Sequence, residues 1–328
     1  MLRILFFLLC GVFAAVAIPA RGAVDFPWVA VGDAGNPADP KTGFGKVDYD
    51  YEISAYDVTN AQYVEFLNTV DPSGANPLRL WNRSMSTEPG GGIDFDVNAP
   101  AGRKYSAKAG FEKKPFTFGT FFNALRFINW LNNGQGSAST EQGAYTLLGG
   151  TPAPSNGLDV IRSASAKIAL ASEDEWYKAA YYQGSGSYAL YATGGDTPPT
   201  ACAPTSAPRC ANYNNAVGGY TDVGAYTGSP SHYGTYDQAG NIWNWNESIF
   251  PDHTRGLRGN AFVHEAGLLA STYRYNREPW IEGLHVGFRV VRVHPRGQLG
   301  GWGIAISLAA AALAMGGFIY WLKSKKLA

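Results

Sequence analysis

Between residues 24 and 296 the strand-like runs are short, and clusters of Gly, Pro and Asn close each one before it extends. Glycine supplies the backbone freedom that tight turns need, so this punctuation predicts a chain that reverses often. With 40 Gly and 14% aromatic residues over the full chain, the composition fits an ordered, loop-rich domain rather than a helical bundle. Hydrophobic residues make up 45% and charged residues 16%, which rules out a long disordered acidic or basic protein. Lys+Arg and Asp+Glu both number 26, so the basic excess of a nucleic-acid binder is missing. A segment this long can bury a large core without a disulfide scaffold. It has no charged linker and no repeat of fixed period, so residues 24–296 are read as one domain.

Three helices are expected. The first starts at Thr59 as N-cap and places Tyr63, Phe66, Leu67 and Val70 on one face. The second follows Thr120, carries an apolar stripe of Ala124, Phe127, Ile128 and Leu131, and stops at Asn132-Asn133-Gly134. The third begins at Ser172, and Glu175 completes a capping box. The best strand candidates are Leu257-Arg258-Gly259 and Val286-Gly287-Phe288-Arg289-Val290-Val291. The mixed order predicts an α+β class.

The two ends read differently. Residues 1–23 carry Arg3, an apolar run over 4–18 and small residues suited to cleavage, the pattern of a signal peptide. Residues 303–322 form 20 residues without a charge, edged by Trp302, Tyr320 and Trp321, with Lys323, Lys325 and Lys326 in the tail 323–328. Such a run is long enough to cross a bilayer, and the positive tail stays inside. The expectation is an exported, membrane-anchored protein with its domain on the periplasmic or extracellular side. The alternative is a C-terminal sorting segment that is later cut. If Cys10 leaves with the signal, Cys202 and Cys210 remain around a Pro-containing loop, and an oxidising compartment predicts a disulfide between them. A metal or redox pair is the alternative, against which stand a spacing wider than Cys-x-x-Cys and the lack of a nearby His.

Six ordered segments carry a resemblance. They are Asp57-Val58-Thr59-Asn60-Ala61-Gln62-Tyr63-Val64-Glu65-Phe66, Phe127-Ile128-Asn129-Trp130-Leu131, Ala169-Leu170-Ala171-Ser172-Glu173-Asp174-Glu175-Trp176, Tyr233-Gly234-Thr235-Tyr236-Asp237-Gln238-Ala239-Gly240-Asn241-Ile242-Trp243-Asn244-Trp245, Arg258-Gly259-Asn260-Ala261-Phe262 and Gly287-Phe288-Arg289. Together they resemble the formylglycine-generating enzyme family, the sulfatase-modifying factors, over roughly residues 50–292. The resemblance implies an irregular fold related to the C-type lectin fold. It also implies calcium held by Asp237, the carbonyls of Gly240 and Ile242, and Asn244, an all-oxygen set that suits a hard cation. A second calcium site near Asn212 and Tyr213 is implied more weakly. A tight turn capped by Asp237 and Asn241, without metal, explains the same residues.

The family's oxidases hold copper with two cysteines, because soft thiolates suit Cu(I). The matching stretch, Phe262-Val263-His264-Glu265-Ala266-Gly267-Leu268-Leu269, contains no cysteine. His264 stands where the first would be and Ala266 where the second would be, so copper-thiolate oxidation is not expected. Other branches oxidise sulfur with histidine-held iron, which makes His264, beside Glu265, a catalytic candidate. Arg274 matches a residue of the family's pocket wall. With Tyr273, Tyr275, Arg277 and Trp280 it predicts an aromatic-and-Arg binding surface; internal salt bridges of Arg274 and Arg289 are the competing reading. The functional expectation is a non-oxidase family member that binds a peptide, glycan or protein ligand. The alternative is a metal-dependent oxidase of a protein cysteine or other thiol.

Overall fold

The computed structural model describes residues 22–293. Nearly all of the expected signal peptide, the apolar run 303–322 and the tail 323–328 lie outside the described residues. Among those described, no helix is long and apolar enough to cross a membrane. In chain order the elements are β1 (Trp28–Val31), β2 (Tyr51–Ser54), α1 (Asn60–Val70), the single turn α2 (Ser84–Thr87), β3 (Ile93–Phe95), β4 (Tyr105–Ala107), α3 (Phe121–Asn132), β5 (Ile168–Leu170), α4 (Glu173–Tyr181), β6 (Thr200–Ala201), β7 (Cys210–Ala211), β8 (Trp243–Ile249), β9 (Arg255–Arg258), β10 (Tyr275–Arg277), β11 (Val286–Phe288) and β12 (Val290–Val293). The class is α+β, with few helices, small sheets and much irregular chain.

The three expected helices form where their caps are. Thr59 accepts from the Gln62 backbone N–H while the Gln62 side chain returns to Thr59, a full capping box. Thr120 accepts from Asn123 N–H, and Ser172 and Glu175 cap α4 reciprocally. Helix α3 is buried on nearly every side, from Phe121 to Leu131. Its Phe127 meets Tyr63 and Phe66 of α1 and Phe288 of β11, at ring-centroid distances of 5.8, 5.5 and 5.5 Å. This aromatic cluster joins the two helices to the sheets, and the geometry is of the offset and edge-on kinds that ring quadrupoles favour.

The run expected as one strand over 286–291 is two. β11 pairs in parallel with β8 in a sheet ordered β10-β9-β8-β11, and β12 lies between β2 and β5 in a sheet ordered β1-β2-β12-β5. Arg289 separates them. Its guanidinium is fully buried and lies 3.1 Å from Asp57 Oδ1; it donates to Asn244 Oδ1 and to the carbonyls of Ser54, Ala55 and Tyr236. A side chain that must satisfy five donors in one place fixes the chain at that residue. One apolar run therefore stitches two sheets together. Burial pushes the Asp57 carboxyl up to about 7 despite Arg289, so this pair is fixed by geometry more than by net Coulomb gain.

Candidate functional site: an aromatic cleft at the β8–β11 sheet

An open cleft of ≈ 840 Å³ lies among the described residues. Trp243 at the start of β8 is its buried floor, 5% exposed. Tyr273 and Tyr275 tilt against that ring at 6.0 and 5.6 Å, and the His264 imidazole lies 6.0 Å from it. Arg277, His285, Asp252 and Asn276 supply polar groups around the rings. Such a cavity falls in the size range of ligand sites, with apolar area and a few orienting polar groups.

Strand geometry explains which side chains enter. Tyr273, Tyr275 and Arg277 alternate along one chain segment and line the cleft. Arg274 does not join them. It turns to Glu173, giving Nε bonds of 2.7 and 2.9 Å and an Nη2 bond of 2.5 Å, and its guanidinium lies 3.9 Å over the Phe250 ring. The expected pocket-wall role of Arg274 is thus replaced by an internal ion pair. Trp280 lines a separate hollow with Arg79 and Glu282. Glu265 is exposed and contributes its carbonyl to Asn260.

His285 is the site residue that the sequence leaves unmarked. Its Nδ1 and the Leu284 carbonyl both lie 2.7 Å from the Tyr220 hydroxyl. A carbonyl only accepts, so the hydroxyl donates to Leu284 and the imidazole Nδ1–H donates to the hydroxyl. This leaves Nε2 as the acceptor nitrogen. Burial first, then His264 and Arg277, push the His285 pKa down to about 4, so the ring is neutral at pH 7. Only its apposition to His264, some twenty residues away in sequence, marks it, and no local pattern carries that. His232 and His253 lie elsewhere: the first packs beside Tyr233, and the second reaches Asp159.

Three of the four expected calcium donors accept hydrogen bonds within the fold. Asn244 Oδ1 accepts from Trp176 Nε1 at 2.9 Å and from Arg289 Nε at 3.0 Å, so it faces two N–H donors, one of them cationic. The Gly240 carbonyl accepts from Ile242 N–H, and Asp237 Oδ2 accepts from Gly224 N–H at 2.6 Å. Gly240 itself is needed as glycine: its φ is 99°, and a Cβ would lie 2.2 Å from the Asn212 carbonyl. Asp237 and Asn212, expected at different sites, instead line one small cavity of ≈ 10 Å³ with Thr193 and Asn241. The buried Asn212 Oδ1 there has no hydrogen-bond donor. That space is about one water-sized sphere, and the side-chain oxygens of Asp237 and Asn212 beside it are of the hard kind calcium takes.

Cys202 and Cys210, the expected disulfide pair, stand as free cysteines in the structure. Parallel pairing of β6 with β7 brings them together, and the Cys202 side chain hydrogen-bonds Cys210. Burial and the neighbouring sulfur push the Cys202 thiol up to about 12. Cys210 borders the small Asp237 cavity, and neither cysteine lines the aromatic cleft.

Comparison with solved structures places this geometry. Treponema denticola variable protein 1 matches with a TM-score of 0.51 at 20% identity, covering 83% of this chain and 96% of that one. CarF matches with a TM-score of 0.52 at 20% identity, covering 82% of this chain and 99% of that one. At these identities the likeness is one of fold. No curated protein matches by sequence. The profile of the Sulfatase-modifying factor enzyme 1-like domain matches residues 33–294, which hold every strand of the two main sheets but β1 and all residues of the cleft, and the chain belongs to that family.

Proposed function

We propose that this domain is a non-oxidase member of its family that binds a peptide, glycan or protein ligand in the aromatic cleft. The observation that carries the reading is the make-up of the cleft wall. His264 and Ala266 stand where the resemblance puts the oxidases' thiol pair, His264 lines this wall with Tyr273 and Tyr275, and neither Cys202 nor Cys210 does. Trp243 and the half-exposed Tyr275 offer ring faces, while Arg277 offers a planar fork of donors and neutral His285 an acceptor. We further propose, from the two ends of the sequence, that the domain is exported and held at a membrane by residues 303–322.

The test is a glycan and peptide array probed with the purified protein and with Tyr275→Ala. Binding that survives metal chelation and is lost in the variant supports the reading. A second reading, a metal-dependent oxidase of a thiol, draws on the two imidazoles His264 and His285 that share the cleft. Stoichiometric copper or iron, lost in His264→Ala and coupled to oxygen uptake with a thiol peptide, would replace the first reading by the second.

A further inference from the structure

Beside the cleft lies a second cavity of ≈ 400 Å³, which shares only Leu284 and His285 with it. Its walls are Pro89, Phe111, Tyr220, Phe262 and Leu284, and Lys114 reaches it from the side. Tyr220 and Phe262 belong to a small cluster with Ile242, apart from the main core. Their rings meet edge-on at 5.1 Å, and the Tyr220 hydroxyl is pinned to Leu284 and His285, so the apolar wall is held rigid. Lys114 is the cation within reach, its side chain 22% exposed. One ammonium N–H goes to the Tyr220 carbonyl at 2.7 Å, and the half-exposed Asp222 pairs with it at 3.6 Å, beyond hydrogen-bond length. Three donors on an ammonium leave capacity for another acceptor. The one acidic lining residue, Glu88, is exposed, where water and salt screen it.

We propose that this cavity is a binding site for a small aromatic or branched-alkyl carboxylate, its apolar body against Tyr220, Phe262 and Phe111 and its carboxylate on Lys114. The volume lies in the range of small-molecule sites. The walls offer too few polar groups for a sugar, whose hydroxyls would lose their hydrogen bonds there. The site is independent of the cleft reading.

Gly219 gives a way to close it. Gly219 lines the cavity, a Cβ there meets nothing within 4 Å, and its φ lies outside the left-handed region, so a side chain can begin at this position without backbone strain. The experiment titrates indole-3-acetate and its neutral amide into the purified protein by saturation-transfer NMR and calorimetry. The acid is expected to bind with a Kd of roughly 0.1–1 mM and the amide about 5-fold more weakly. Gly219→Leu, with an unchanged melting temperature, is expected to weaken both at least about 10-fold. Lys114→Met is expected to erase the acid–amide difference, and Tyr275→Ala in the cleft to leave both affinities intact. No saturation transfer at millimolar ligand, equal binding of acid and amide, or full affinity in a folded Gly219→Leu protein would each overturn the proposal.

Discussion

Glu173 holds the wall of the cleft, and its replacement by Gln gives the sharpest test of the site's construction. The carboxylate sits at the N-terminus of α4 and is 4% exposed. It accepts two bonds from Arg258 at 2.9 and 2.7 Å, three from Arg274, and one from Ser248 at 2.5 Å. Those guanidiniums and Ser248 outweigh the desolvation of burial and hold its pKa below the usual carboxylate range. Glu173→Gln keeps the shape and removes the charge. Arg258 is the more exposed to loss, because its side chain is 1% accessible, although Nη1 keeps the carbonyls of Ser271 and Tyr273. Arg274 is 31% accessible and regains water. Breaking a buried pair costs ~3–5 kcal/mol, and the retained partners place this case at about 3. For a domain of this size that is a fall of roughly 6–12 °C in melting temperature. The sign of the pH dependence follows from the lowered pKa. The stabilisation is complete above the unfolded value of 4.5 and is lost as pH falls through the folded value. Calorimetry should therefore show a wild-type-to-variant gap that is full at pH 7 and closes in acid. Ligand affinity should fall as well, since Arg274 lies between Tyr273 and Tyr275. A gap below about 2 °C at pH 7, or one that persists undiminished in strong acid, would refute the reasoning.

Three further outcomes follow from the same geometry. Tyr275 is 44% exposed on the edge strand, so Tyr275→Ala should weaken cleft binding about 10-fold while leaving the melting temperature nearly unchanged; a large thermal loss would place it in the fold instead. Mild oxidation should join Cys202 and Cys210, seen as the loss of two hydrogens by mass spectrometry, and should stabilise by roughly 2–3 kcal/mol for so short a loop; failure to form the bond at any oxidant level would contradict their placement side by side. Adding EDTA tests the calcium expectation at the oxygen-lined cavity of Asp237 and Asn212: a bound ion stabilises by linkage, so chelation should lower the melting temperature by several degrees and added calcium should restore it; a shift below about 1 °C would count against an ion there.

The helices were legible because their determinants are local. Thr59, Thr120 and Ser172 cap the residues two or three positions on, and a one-dimensional pattern carries that. The ordered motifs likewise carried the family. The split of 286–291 into two sheets was not legible, because Val286 and Val290 are equally apolar. Only the buried partners of Arg289, from Ser54 to Asn244, require the break. The direction of Arg274 was open for the same reason. Its competing partners, the cleft and Glu173, lie on segments far apart in sequence, and the buried carboxylate wins because an unpaired charge there would cost more than an exposed guanidinium gains.

The sequence by itself determined where the chain turns, which segments cap as helices, the class and family, and the lack of a cysteine near His264. Tertiary structure alone decided which residues meet. It gathered Trp243, His264, Tyr273, Tyr275 and His285 into one cleft, turned Asn244 to Arg289, and placed two cysteines side by side. The physical reason is that caps and turns are satisfied within a few residues of chain. Burial, ion pairing and hydrogen-bond competition are settled by whichever distant partner the packed chain brings within reach.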